Sequence, residues 1–330
     1  MRVTILILDV DLIALKKLII FDMLHNVCAI LLLKGSESKG IMEDILALSN
    51  EEASWLSSEI KKYRSQYIKS PGDYLKILVS DNCVDFSDIK TNASQIIEKL
   101  REGCWQLYLK DEAIFNKKII AHLIKHRELP NRILNEYIEN FKICKSTNLN
   151  DDLGELIGEY TGSIMPYIYA LDLSTTNSRR SRSGKTFEAI IKYLIIDVFK
   201  YPFDDQSTIG DGFFREQYLG KIVDGIIPGK NSYIRNRTKT LIITMKTTLR
   251  ERWQEVAEEM KRTNIPQIHL LTVDDSLTVS KLRTMERQNI QIVNYDSVKN
   301  QFKNHNNIIS FTEFFNKEIP HYLKYWEKQI

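Results

Sequence analysis

Paired cysteines are missing from this chain. Cys28, Cys83, Cys104 and Cys144 lie far apart and form no Cys-x-x-Cys unit, which argues against a disulfide framework or a zinc ribbon and fits a reducing cytoplasm. An uninterrupted apolar run is missing too. Residues 5–33 are rich in Leu and Ile, but Asp9, Asp11, Lys16, Lys17, Asp22 and His25 break them up, each costly at a bilayer centre. No signal-peptide layout, internal repeat or low-complexity tract is present. Residues 1–41 are expected to form a buried hairpin or helix, or to be an extension upstream of a chain that opens at Met42. No membrane partner is expected.

What is present is globular in composition: 43% hydrophobic and 27% charged residues exclude global disorder. The net charge of +3 is unevenly spread. Between Thr175 and Arg262 there are 17 Lys and Arg against 11 Asp and Glu, and elsewhere 29 against 32. A basic segment inside a near-neutral chain suits contact with a polyanion, and equally a solvated basic face.

Residues 42–170 read as a helical N-terminal region. Apolar residues recur at three- and four-residue spacing in Ile45–Trp55, Ala93–Leu109, Ile114–Leu123 and Ile133–Ile143. The polar stretch 172–183 reads as a linker or phosphate-facing loop. Residues 171–330 then read as α/β: a helix over Gly184–Phe199 and strands at Gly220–Ile227, Thr240–Met245, Gln267–Thr272 and Asn289–Val293. Helices fall at Leu249–Arg262 and Ser280–Arg287, with two more after the last strand.

The chemistry concentrates where a strand ends in lysine. Asp224 lies on the strand that Pro228-Gly229 closes, and Lys246 ends the next one. Adjacent strands would bring the two to the same sheet end, where a carboxylate can hold a divalent cation and an ammonium can stabilise a phosphate. The residue two before Lys246 is Thr244, so the strand lacks a second acid. Glu188 and Glu259 are further candidate carboxylates. Arg250 and Glu251 open the following helix, whose apolar stripe is Leu249, Trp253, Val256 and Met260. Arginine can donate twice to guanine and glutamate can accept from cytosine. Thr248-Leu-Arg-Glu251 also fits a capping box, and the residues alone leave both readings open.

Two other motifs fail on inspection. Ser183-Gly184-Lys185-Thr186 imitates the tail of a phosphate-binding loop, but Arg179 stands where its first glycine belongs, which argues against a nucleotide cofactor. His122 and His126 sit one turn apart without the adjacent glutamate of a zinc protease or a third ligand, so a structural role is expected.

Arg179-Arg-Ser-Arg182-Ser-Gly184-Lys-Thr-Phe187-Glu188 resembles the Arg-x-x-Arg-Ala-Gly-x-x-Phe-Glu element of the SsoII, PspGI and EcoRII group of type II restriction endonucleases, with Ser183 in place of alanine. Asp224, then Lys246-Thr-Thr-x-Arg250-Glu251-Arg252-Trp253, then Glu259 follow in the order of that group. The resemblance spans about residues 175–275. It implies a restriction-endonuclease-like core, a central mixed β-sheet flanked by helices, of the PD-(D/E)XK superfamily, with the second acid moved to the helix. It further implies a Mg²⁺ site from Asp224, Glu259 and Glu188, with Lys246 as catalytic lysine. Arg250 and Glu251 would read bases, and Arg179, Arg182, Lys185 and Arg252 would contact the DNA backbone. The implied activity is double-strand cleavage of a short palindrome containing CC and GG by a homodimer within a restriction-modification system. The alternatives are a repair or junction-resolving nuclease of the same fold and a catalytically silent DNA-binding module.

Overall fold

Leu241-Ile-Ile-Thr-Met-Lys246 and Ile268-His-Leu-Leu-Thr272 are apolar along nearly their whole length, without strict alternation. Such runs fit strands covered on both faces, as in parallel sheets with crossover helices. In the computed structural model of the chain, which describes residues 48–126, 149–216, 219, 223–249, 252–263 and 265–328, both are strands, with every residue from Leu241 to Met245 and from Ile268 to Thr272 buried.

The described strands form one six-stranded mixed sheet: β1 (Asp204–Asp205), β2 (Gly225–Ile227), β3 (Leu241–Lys246), β4 (Ile268–Thr272), β5 (Ile290–Asn294) and β6 (Ile308–Ser310), in that spatial order. The pairs β1/β2 and β2/β3 are antiparallel, and β3/β4, β4/β5 and β5/β6 are parallel. Helices Arg252–Thr263, Val279–Arg287 and Asp296–Gln301 link the parallel strands. They bury Val256, Met260, Leu282, Met285 and Val298 in the same core as Ile242, Leu270 and Ile292. The stripe expected on the first of these helices packs as read, with Leu249, Val256 and Met260 buried and Trp253 half-buried against them. The expected mixed sheet with flanking helices is the fold observed. The expectation left out β1 and β6.

The described residues divide into two compact units, 48–57 with 149–170 and 58–126 with 171–328. The expected division between residues 170 and 171 falls inside the helix Leu149–Tyr193. In the first unit Tyr167 Oη donates to Glu52 Oε1 at 2.6 Å. In the second, one helix, Ile89–His126, replaces the two expected, with Asn92 leaving helical dihedrals near its start. It joins the α/β layer through polar contacts at its N-terminal half: Arg101 Nη1 donates to Tyr295 Oη at 2.8 Å, and Asp296 N–H donates to Ser94 Oγ at 3.0 Å.

The polar stretch 172–183 is helical, not a loop, because Leu149–Tyr193 runs straight through it. Its Ser, Thr and Asn favour loops on their own, but tertiary partners hold one face of the helix. Leu171 and Thr175 are buried, and Arg64 Nη2 donates to Ser174 Oγ at 3.1 Å. The last turn expected for this helix is a π turn, Leu194–Val198.

Cys83 and Cys104 are both free thiols. No helix among the described residues is long and apolar enough to cross a membrane. The segment 1–41 and the helix expected at 133–143 lie outside the described residues.

Candidate functional site

The site grows from the pairing of β2 with β3. Gly225 lies opposite Ile243, so Asp224, one residue earlier, comes level with the end of β3, and its N–H donates to the Ile243 carbonyl at 2.8 Å. Gly225 itself is required there: an added Cβ would stand 2.1 Å from the Phe203 ring. The Asp224 carboxylate then meets the backbone that leads to Lys246. Its Oδ2 accepts the Met245 N–H at 2.6 Å and the Thr244 hydroxyl at 3.4 Å, and lies 4.0 Å from Lys246 Nζ. Thr244 is fully buried, in the place where a second strand acid would otherwise stand.

Burial pushes the Asp224 carboxyl up to about 6, against the Lys246 ammonium and the Met245 N–H, which favour the charged form. Glu188 raises it further and Lys192 lowers it. Both come from the helix Leu149–Tyr193, so β3 and that helix both act on one carboxylate. Glu188 is half-buried and follows Phe187, which is fully buried and meets Phe311 edge to face at 6.1 Å.

Lys192, one turn beyond Glu188, was not among the expected site residues. It pairs with Asp205 of β1 at 2.8 Å. Although burial raises the Asp205 carboxyl, hydrogen bonds from Lys192, Ser207 and Thr208 together hold it far below the usual carboxylate range. Only its four-residue offset from Glu188 could have marked Lys192 in the sequence.

Beyond Lys246 the chain is fastened again. Leu249 N–H donates to Asp274 Oδ2 at 2.6 Å, and Asp274 follows the end of β4, the neighbour of β3. Asp274 is buried, and although burial raises its carboxyl, the Leu249 and Ser276 hydrogen bonds leave it below the usual range. Asp274 was also not anticipated. Arg250 and Glu251 lie outside the described residues. Arg252 opens the helix Arg252–Thr263, and Glu259 belongs to the same helix; the side chains of both lie outside the described part. Among the described residues no three His, Cys, Asp or Glu side chains cluster closely enough to hold a metal.

The other expected contact residues have partners within the chain. Arg179 forms a two-pronged ion pair with Glu112, which is 2% exposed and also accepts the Tyr108 hydroxyl. Arg182 donates to the Lys69 carbonyl at 2.6 Å, and its guanidinium lies 4.8 Å from the centre of the Tyr108 ring. Lys185 is exposed. His122 pairs with Glu59 at 2.7 Å, the structural role expected of it.

Comparison with known proteins places this geometry in context. The model of the family described as EcoRII C terminal matches residues 141–315. The type II restriction enzyme SsoII of Shigella sonnei is 34% identical over 223 residues, 67% of this chain and 67% of its own. The type II restriction enzyme EcoRII of Escherichia coli is 27% identical over 143 residues, 42% of this chain but only 32% of its own length. Among solved structures, metal-depleted Ecl18kI in complex with uncleaved DNA has a TM-score of 0.67 and 29% identity, covering 83% of this chain and 86% of its own. A complex of the restriction endonuclease PspGI with substrate DNA shares the fold, with a TM-score of 0.54, 17% identity and coverage of 79% and 95%. By the family match across more than half its length and the 34% identity to SsoII, the chain belongs to the type II restriction endonucleases and is a site-specific nuclease.

Proposed function

We propose that the chain cleaves both strands of duplex DNA at a short palindrome containing CC and GG, of the CCNGG or CCWGG type. The reaction depends on Mg²⁺ and belongs to a restriction-modification system in the cytoplasm. The observation that carries this reading is the Asp224–Lys246 pair at one sheet end, under the field of Glu188. The solved DNA complexes of Ecl18kI and PspGI support DNA as the partner. Membership of a site-specific nuclease family weighs against the shape-reading and catalytically silent alternatives. A two-fold symmetric target suits a homodimer, each copy reading one half-site. Residues 171–330 would form the catalytic domain.

The described donors fit a hard cation. Asp224 offers a buried carboxylate whose Oδ2 is engaged by Met245, while Oδ1 accepts no hydrogen bond among the described residues. Glu188 stands near enough to raise it, and Glu259 would add a third carboxylate. Oxygen donors of this kind suit Mg²⁺, which needs few protein ligands. When bound, the ion supplies Lewis acidity and positive charge at the scissile phosphate. Lys246 would stabilise the charge that develops on that phosphate, and the products carry a 5′-phosphate and a 3′-hydroxyl. Arg250 would donate to guanine and Glu251 would accept from cytosine. Arg179, Arg182, Lys185 and Arg252 would lie along the backbone, positioning without reading sequence.

Incubation with plasmid DNA in Mg²⁺, with an EDTA control, should give discrete fragments whose sequenced ends fall at one CC/GG palindrome. Uncut DNA in every sequence context would reject the reading. Arg250→Ala should weaken binding of the target duplex by about 1–3 kcal/mol while leaving non-target binding unchanged. Equal loss on both duplexes would return Arg250 to a general surface role.

A further inference from the structure

The chain leading into β3 is basic throughout: from Pro228 to Lys239, Lys230, Arg235, Arg237 and Lys239 occur with no acidic residue. The last of these meets the helix Ile319–Glu327, where Trp326 Nε1 donates to the Lys239 carbonyl at 2.9 Å. Beside that bond lies a cavity of about 320 Å³, whose lining includes Lys239, His321, Tyr322, Lys324, Tyr325 and Lys328 beside Thr238. The volume falls within the range of small-ligand sites, roughly 300–1,000 Å³.

Its chemistry is one-sided. His321, Lys324 and Lys328 follow one another at three- and four-residue spacing, which puts them on one face of a helix. Lys324 and Lys328 repel each other at four-residue spacing, and Lys239 adds a third cation from another element. No carboxylate lines the cavity. Glu318, whose charge is felt at Tyr322, is engaged by His269 at 3.0 Å. None of the three lysines forms an ion pair among the described residues. Three lysines without an ion-pair partner among the described residues favour a bound anion.

The two tyrosines narrow the class of anion. Burial pushes the Tyr322 hydroxyl up to about 12, so it stays a neutral phenol that hydrogen-bonds Gln267 at 3.3 Å. Tyr325 accepts from Asn236 at 3.5 Å and lies under the Lys239 ammonium. Aromatic rings beside lysines suit a ligand with a flat base and a phosphate. The cavity is distinct from the cleavage site, because Lys239 precedes β3 and Lys246 ends it. Seven residues of extended chain separate them by roughly 20 Å.

We propose that this cavity is a second phosphate site that binds a nucleotide phosphate ester, with Lys239, Lys324 and Lys328 neutralising the phosphate and Tyr322 and Tyr325 packing against the base. Two sources share this chemistry: a free mononucleotide and a phosphate of a DNA strand away from the cleaved bond. The full chain in EDTA is titrated with a 5′-mononucleotide, with inorganic phosphate, and with duplex DNA lacking any CC/GG palindrome, as wild type and as the Lys239→Ala, Lys324→Ala double variant. The expected result is binding by the wild type, tighter for the nucleotide than for phosphate, and a loss of about tenfold or more in the variant. Loss confined to the mononucleotide assigns the free nucleotide as source; loss confined to the duplex assigns the DNA strand. Equal binding by both proteins, or no binding of either nucleotide or duplex by the wild type, overturns the proposal. Lys324→Gln, a single change at an exposed position, repeats the comparison should the double variant unfold. The readout needs no cleavage, so it stands or falls independently of the proposed target sequence.

Discussion

Lys246→Ala should lower the single-turnover cleavage rate by about 10³-fold while target DNA is still bound, since removing one group that stabilises transition-state charge costs about 10²–10³. Asp224→Asn should do the same. The two variants differ in what they do to the fold, and this separates a chemical defect from a folding one. The Asp224 carboxyl is raised by burial to about 6, above its unfolded value. A carboxyl raised in this way favours the folded state while protonated, and the benefit is lost as pH rises from the unfolded pKa through about 6. At neutral pH the ionised group is therefore a burden on the metal-free protein. Asn keeps an oxygen to accept the Met245 N–H without the buried charge. Asp224→Asn in EDTA should thus melt at the wild-type temperature or above it while cutting is lost. Activity within a few-fold of wild type in either variant would remove that residue from the chemistry. A lowered melting temperature for Asp224→Asn would show that its charge supports the fold.

The second large effect lies in packing. Phe187→Ala should destabilise the protein by about 3–5 kcal/mol, the usual result of emptying a buried aromatic site. Phe187 is fully buried against Phe311, which in turn meets Tyr295 edge to face at 5.6 Å. This chain of rings ties the helix carrying Glu188 to the residues after β5 and β6. Because Glu188 is the next residue, the variant should also cut more slowly under conditions where it remains folded. Phe187→Leu, which refills part of the volume, should recover most of both properties. Denaturant melts with parallel cleavage rates check the pair; a shift below about 1 kcal/mol would mean that the neighbours collapse into the space.

The α/β part was legible because its strands are long and covered on both faces. Thr240–Met245, Gln267–Thr272 and Asn289–Val293 match Leu241–Lys246, Ile268–Thr272 and Ile290–Asn294 to within a residue or so. Two-residue β1 and three-residue β6 are too short to carry a period. The helical stretch 172–183 was hidden for a different reason. What keeps its Ser and Arg residues helical sits elsewhere in the chain, in Arg64 and Glu112. Glu112 was invisible because an acid in a helical run looks solvated until its buried partner is known. At the candidate site, the juxtaposition of Asp224, which immediately precedes β2, and Lys246, which ends β3, could be read from the order of residues. The same was not true of Asp274, whose hydrogen bond to Leu249 depends on β4 lying beside β3.

That hydrogen bond bears on how errors travel. Only Thr247 and Thr248 separate the end of β3 from Leu249, and two residues of chain hold almost no slack. A push arriving at residue 249 has nowhere to dissipate: it must either break the bond to Asp274 or pull on the end of the strand. If Arg250 reads a base as proposed, a misfit there would be passed through this short link towards Lys246, and the cost of a wrong sequence would fall on the cleavage step itself.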